Sequence, residues 1–168
     1  MINLLTTVKS TIGEHRDLPF SVYTSIKEQK LLNVPIVKPL LIVVLSGDKE
    51  LGENEKVTCH AGDFIFLSDS STVNIRNIPK DQEYFALLIE FEHQDFDGLQ
   101  LNAPNRKHYC IGETTPVLEQ CLQQFVESSL WAPEPLWSLR KREIIELLCH
   151  MGHKEILSMV GHSNVGNQ

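Results

Sequence analysis

Apolar residues are spaced in two ways along this chain. Up to Phe91 they come in short runs, and after Gly112 they return every third or fourth position. The run from Pro39 to Leu45 (PLLIVVL) is rich in β-branched residues and stops at Ser46-Gly47-Asp48, a turn signal. Lys49 to Gly52 continues the pattern, and Glu53 to Lys56 makes a polar hairpin tip. Val57 to His60 leads into a second turn at Ala61-Gly62-Asp63. Phe64 to Leu67 is a short buried strand, closed by Ser68-Asp69-Ser70-Ser71. From Thr72 to Asn77, Val73 and Ile75 alternate with Asn74 and Arg76, which predicts a strand with one face covered. A turn at Ile78 to Asp81 precedes a long apolar strand, Tyr84 to Phe91, with Glu90 as the charge at its far end. Phe20 to Ile26 supplies an earlier strand.

The second pattern is helical. Thr115-Pro116 offers a hydroxyl cap followed by proline at the first helical position. Val117, Leu118, Cys121, Leu122, Phe125 and Val126 then cover about half the circumference at ~100° per residue. Pro133-Glu134-Pro135 interrupts. A second helix is predicted from Leu136 to Met151, with Leu136, Arg140, Ile144, Leu147, Leu148 and Met151 on one side and Gly152 as its stop. A short helical piece is expected from Lys154 to Val160, then an unstructured tail from His162 to Gln168. Short strands divided by Gly and polar turns argue for a sandwich or barrel. Jelly rolls of the cupin kind solve the sheet-edge problem in this way. The fold class is therefore mainly β: a cupin-like double-stranded β-barrel over 1–112, an antiparallel helical pair packed on it over 113–161, and a flexible tail over 162–168.

Composition narrows the function. The chain has 168 residues and a formal net charge of -7, with its basic residues scattered. Phosphate contacts need clustered Lys and Arg, so this segment alone is not expected to bind DNA. The single basic run, Arg140-Lys141-Arg142, is followed at once by Glu143. Met1 to Lys9 is too polar and short for a signal sequence, and no apolar run is long enough to span a bilayer. Cys59, Cys110, Cys121 and Cys149 lack paired spacing, which favours reduced thiols and a cytoplasmic protein.

Catalytic cupins hold a metal with a His-x-His pair, a carboxylate and a later His. Here the strand before Gly62 carries only His60, with Thr58 two residues earlier. His150, His153 and Cys149 are neighbours at helical spacing, and exposed polar residues at a helix end explain them better. No nucleophile motif or phosphate-cradling glycine loop is present. Glu90 and Glu92 share a strand face, which a solvated strand end explains. No catalytic residue, metal or cofactor is expected, and the competing reading is a small metal-dependent cupin enzyme, an isomerase or oxygenase.

Three blocks and one helix carry a family resemblance. The stretches from Pro39 to Lys49 (PLLIVVLSGDK), Ala61 to Leu67 (AGDFIFL) and Tyr84 to Phe91 (YFALLIEF) resemble conserved blocks of the N-terminal domains of AraC-type bacterial transcription regulators. Leu139 to Leu148 (LRKREIIELL) is similar to the helix that closes such domains. The resemblance covers about three quarters of the chain. It implies a barrel that senses a small-molecule effector, a helix that forms a homodimer, and a helix-turn-helix DNA-binding half that this chain does not contain. Aligned on Gly62 with the arabinose-sensing member, Val73 and Ile75 fall near positions where that sensor is polar or aromatic. An apolar effector, lipid-like or aromatic, follows, with Tyr23, Lys38, Arg76 and Tyr84 as candidate polar anchors. The other reading is a barrel filled by its own side chains that binds nothing. The first helix leaves two readings open as well: Leu118, Cys121, Leu122 and Phe125 meet a second copy across a two-fold axis, or the second helix covers them within one chain.

Overall fold

The structure, a computed structural model, describes residues 1–13, 17–69, 71–99 and 108–160. The described strands are β1 (Ser21–Ser25), β2 (Gln29–Pro35), β3 (Leu40–Ser46), β4 (Asp48–Leu51), β5 (Val57–His60), β6 (Asp63–Leu67), β7 (Thr72–Ile78), β8 (Tyr84–Glu90) and β9 (Tyr109–Glu113). The helices are α1 (Ile2–Thr11), α2 (Pro116–Ser128) and α3 (Glu134–His150). The strands form two antiparallel sheets, ordered β1-β8-β3-β6-β9 and β2-β7-β4-β5. We call them the middle sheet and the outer sheet, because the helices cover the far side of the first.

That layering explains the apolar runs. In β3, Leu41, Val43 and Leu45 belong to the core shared with the helices, while Ile42 and Val44 belong to the core between the sheets. Phe64 and Phe66 in β6 divide from Ile65 and Leu67 in the same way, as do Phe85, Leu87 and Ile89 in β8 from Tyr84 and Ala86. A strand buried on both faces has no polar alternation. Each large apolar side chain so buried contributes about 1.5–3 kcal/mol. The outer sheet alternates instead, because its far face meets solvent. Gly47 links the two sheets at φ 87°, and a Cβ there would lie 2.6 Å from the carbonyl oxygen of Ile78. Only glycine suits that turn.

Three elements were not expected. The segment read only as too polar for a signal sequence is the amphipathic helix α1, burying Leu4, Val8 and Thr11. Strand β2 pairs with β7 through a register shift between Leu31 and Val34, where Asn33 takes φ 54°. The irregularity hides any clean alternation. Strand β9 pairs with β6 at the edge of the middle sheet. The second helix begins at Glu134 rather than Leu136, and Lys154–Ser158 is a 3-10 turn. Its buried line is Ile144, Ile145 and Leu148, while Leu136 is exposed, so the predicted single stripe is only partly right. The expected tail, 162–168, lies outside the described residues.

Helix α2 starts as predicted, with Thr115 Oγ1 accepting from the Leu118 amide at 3.3 Å. Its apolar arc is used within the chain except at Val117, which is exposed. Leu118 and Leu122 are fully buried and Phe125 is 2% exposed, in one core with Leu4 and Val8 of α1, Phe20, and Ile144 and Leu148 of α3. Phe20 and Phe125 stack at 6.3 Å. Of the two readings left open for Leu118, Leu122 and Phe125, their burial favours cover within the chain, to which α1 contributes as well as α3. Cys121 lies at the margin, its thiol 3.6 Å from Glu143 Oε1. No helix among the described residues is long and apolar enough to cross a membrane.

Candidate functional site

Alternation along β4 decides which side chains enter the barrel. Leu51 is buried between the sheets, so Lys49, two residues earlier, points the same way. The register confirms it. Lys49 lies opposite Cys59 of β5 and Asn77 of β7, just as Leu51 lies opposite Val57 and Ile75. The Lys49 ammonium donates to Asn77 Oδ1 at 2.8 Å and to the Tyr84 hydroxyl at 3.3 Å, and it sits 5.5 Å from the centroid of the Tyr84 ring. Lys49 is 5% exposed, Asn77 1% and Tyr84 fully buried.

These partners are neutral. Among the described residues no carboxylate forms an ion pair with Lys49, and desolvation lowers its pKa to about 8. Burial also pushes the neighbouring Cys59 thiol up to about 12 and raises Tyr84 above its ordinary value. A buried cation without an anion costs several kcal/mol, which makes it receptive to an anionic group brought in from outside. The core between the sheets, which Lys49 enters, is built from residues such as Ile42, Val44, Leu51, Ile65 and Ile75, with Tyr23 and Val73 packed at its margin. Among the described residues the core between the sheets is thus apolar, with one polar triad.

The residues named from sequence are distributed unevenly. Tyr84 belongs to the triad, and Tyr23 meets it edge-on at 6.2 Å while its hydroxyl donates to Gln29. Val73 and Ile75 face the interior as expected. Arg76 does not: it lies on the opposite face of β7, held by Glu28 at 2.9 Å and Glu50 at 3.1 Å. Alternation separates it from Ile75, so it cannot serve the same interior ligand. Lys38 is exposed and pairs with Glu92 at 2.6 Å, which raises its pKa. It is an ion pair at the end of the barrel rather than an interior anchor. Lys49 and Asn77 were missed, although the signal was present: Lys49 shares its strand face with Leu51, and Asn77 with Val73 and Ile75.

His60 sits on the outward face of β5, exposed, with Nδ1 2.9 Å from Asp48 Oδ1. Asp48 also meets Lys80 at 3.0 Å, and although burial opposes it, these two partners hold its carboxyl below the ordinary range. His60 therefore does not reach the interior, where a cupin metal would lie. Cys149 is half-buried and His150 exposed, whereas His153 turns away from both toward β9.

Comparison of sequences finds no matching protein family and no matching curated relative. Solved structures do share the fold. ToxT from Vibrio cholerae strain SCE256, bound to an unsaturated fatty acid, superposes with TM-score 0.63 at 12% identity, covering 87% of this chain and 58% of that one. ToxT from Vibrio cholerae O395, bound to (E)-4-(8-methylnaphthalen-1-yl)but-3-enoic acid, gives TM-score 0.58 at 12% identity, covering 82% and 58%. The chain spans just under three fifths of the ToxT chains it matches, and over that span it has their fold: a cupin-like barrel followed by helices.

Proposed function

We propose that this chain is the effector-sensing part of an AraC-type transcription regulator, and that its effector is an apolar molecule carrying an acid group. The observation that carries the reading is Lys49, a buried ammonium with neutral partners on the inward face of β4 in an apolar barrel. The sequence blocks resemble that family, and ToxT, itself an AraC-family regulator, has the same fold. Both ToxT ligands named above are apolar carboxylic acids. A carboxylate at Lys49 replaces an uncompensated charge by a charge-assisted pair and restores its ordinary protonation. Binding shifts a DNA-binding partner domain by favouring one barrel arrangement over another, since only a difference in affinity between two states moves their equilibrium.

The reading includes pairing of two copies in the complete regulator. With Leu118, Leu122 and Phe125 buried, the most exposed apolar side chains that follow the barrel include Val117, Trp131 and Leu139, and pairing uses such residues instead.

Thermal melting with a long-chain unsaturated fatty acid, the corresponding alcohol and arabinose tests the effector class. The acid should raise the melting temperature more than the alcohol, and arabinose should leave it unchanged. Lys49→Met, verified as folded by circular dichroism, should abolish the preference for acid over alcohol. Stabilisation by sugar alone, or equal responses to acid and alcohol in the unmodified protein, would reject the reading.

A further inference from the structure

A second cluster lies outside the barrel, on the helical side of the middle sheet. Helix α3 ends in a Schellman motif: the Gly152 amide donates to the Cys149 carbonyl at 3.1 Å and the His153 amide to the Leu148 carbonyl at 3.0 Å. This reversal sends the chain back toward β9 and delivers His153 beside Cys110. The His153 ring packs edge-on against Phe64, with centroids 5.2 Å apart. Gly112 makes room for it, since a Cβ there would lie 2.6 Å from the Phe64 ring and 2.8 Å from His153 Cε1. Glu155 follows on the 3-10 turn. Cys110 Sγ donates to Glu155 Oε1 at 2.9 Å and lies 3.6 Å from His153 Nδ1. The three ligand atoms all fall within 4.8 Å of one another.

From this arrangement we infer that Cys110, His153 and Glu155 form a binding site for one zinc-like divalent ion. The donor set is a thiolate, an imidazole and a carboxylate, which Zn²⁺ accepts together and which Ca²⁺ and Mg²⁺, as oxygen-seeking cations, do not. Tetrahedral zinc with bonds of about 2.3 Å to sulfur and 2.0–2.1 Å to nitrogen sets those two atoms about 3.6 Å apart. Cys110 and His153 already have that separation. Sulfur and oxygen ligands stand about 3.5 Å apart in the same geometry, so Glu155, now drawn in by the thiol hydrogen, moves outward when the metal replaces that hydrogen. The ion takes the place of the Cys110 proton, which leaves for solvent, and water fills the fourth position.

The site joins β9, at the edge of the barrel, to the segment that follows α3. Its ligands come from positions 43 and 45 residues apart in sequence, so metal binding fixes the end of the helical layer on the sheet. This holds whatever the barrel interior contains.

The test uses the full chain without an affinity tag, kept reduced. One equivalent of Co²⁺ should produce a thiolate-to-cobalt charge-transfer band, and Zn²⁺ should displace it while raising the melting temperature. Cys110→Ser should lose the band. His153→Gln, at a half-buried position where folding is less at risk, and Glu155→Gln should each weaken Zn²⁺ binding at least tenfold. The inference is overturned by absence of the band in the unmodified chain, or by unchanged Zn²⁺ affinity in a folded His153→Gln protein.

Discussion

The two sheets of the barrel face the same interior but are built on different terms. The middle sheet is buried on both sides, so β3, β6 and β8 are nearly continuous apolar runs, and their large apolar side chains divide between two cores. The outer sheet is buried on one side only, and its inward row includes Lys49 and Asn77. The first sheet is scaffold: dense, apolar and clamped by helices. The second supplies Lys49 and Asn77, a desolvated cation and its amide partner among apolar neighbours, to which the first adds only the Tyr84 hydroxyl. Polar groups buried at such a cost mark places selected for something other than stability.

The largest test of this contrast is a truncation in the middle sheet. Phe66 is fully buried and packs on Phe91 with ring centroids 5.8 Å apart. Phe66→Ala should cost about 3–5 kcal/mol, read from urea unfolding. A loss below 1 kcal/mol would show that the helical layer does not clamp this sheet.

The outer sheet should respond to pH through Lys49. Its pKa is about 8 in the fold, against 10.5 for the ordinary side chain. Between those values the unfolded chain holds the extra proton, so Lys49's contribution to stability rises with pH and is least favourable below about 8. The full difference is about 3 kcal/mol. Cys59 and Tyr84 remain in Lys49→Met and largely cancel on comparison. The stability of the unmodified protein minus that of Lys49→Met should therefore climb from pH 7.5 to 10. Parallel curves would mean that Lys49 is hydrated in solution.

The smallest effect is expected on the solvent face of the same sheet. Arg76 pairs there with Glu28 and Glu50, and exposed pairs of this kind add little to stability because solvent screens them. Arg76→Ala should leave the urea midpoint nearly unchanged and the response to fatty acid intact. A selective loss of ligand response in this variant would move the site from the interior to the outer face.

Much of the architecture was legible because burial leaves a periodic trace. The strands at Pro39 to Leu45 and Tyr84 to Phe91, the turns at Gly47 and Gly62, and the start of α2 at Thr115-Pro116 all follow from local preference. Helix α1 was harder to see, since its ten residues bury only Leu4, Val8 and Thr11, and so thin a stripe is indistinct in a polar segment. Strand β2 was obscured by its bulge. At the site, Tyr84, Val73 and Ile75 could be placed inside from strand period alone. Lys49 was overlooked because a lysine after a turn is usually a surface charge, and only its phase relative to Leu51 says otherwise.

The sequence by itself determined the change from strands to helices after Gly112, most of the strands, the tight turns and the start of α2, because these depend on neighbours within a few residues. Tertiary structure decided the rest. How far the apolar arc of α2 is covered within its own chain depended on α3 and on α1, the latter more than a hundred residues away. Arg76 and Ile75, adjacent in sequence, were sent to opposite sides of a sheet whose covered face only the assembled barrel defines. Cys110, His153 and Glu155 became neighbours because the stop of α3 folds back on β9. Such meetings arise from packing between distant segments, and a one-dimensional pattern does not encode which surfaces will cover one another.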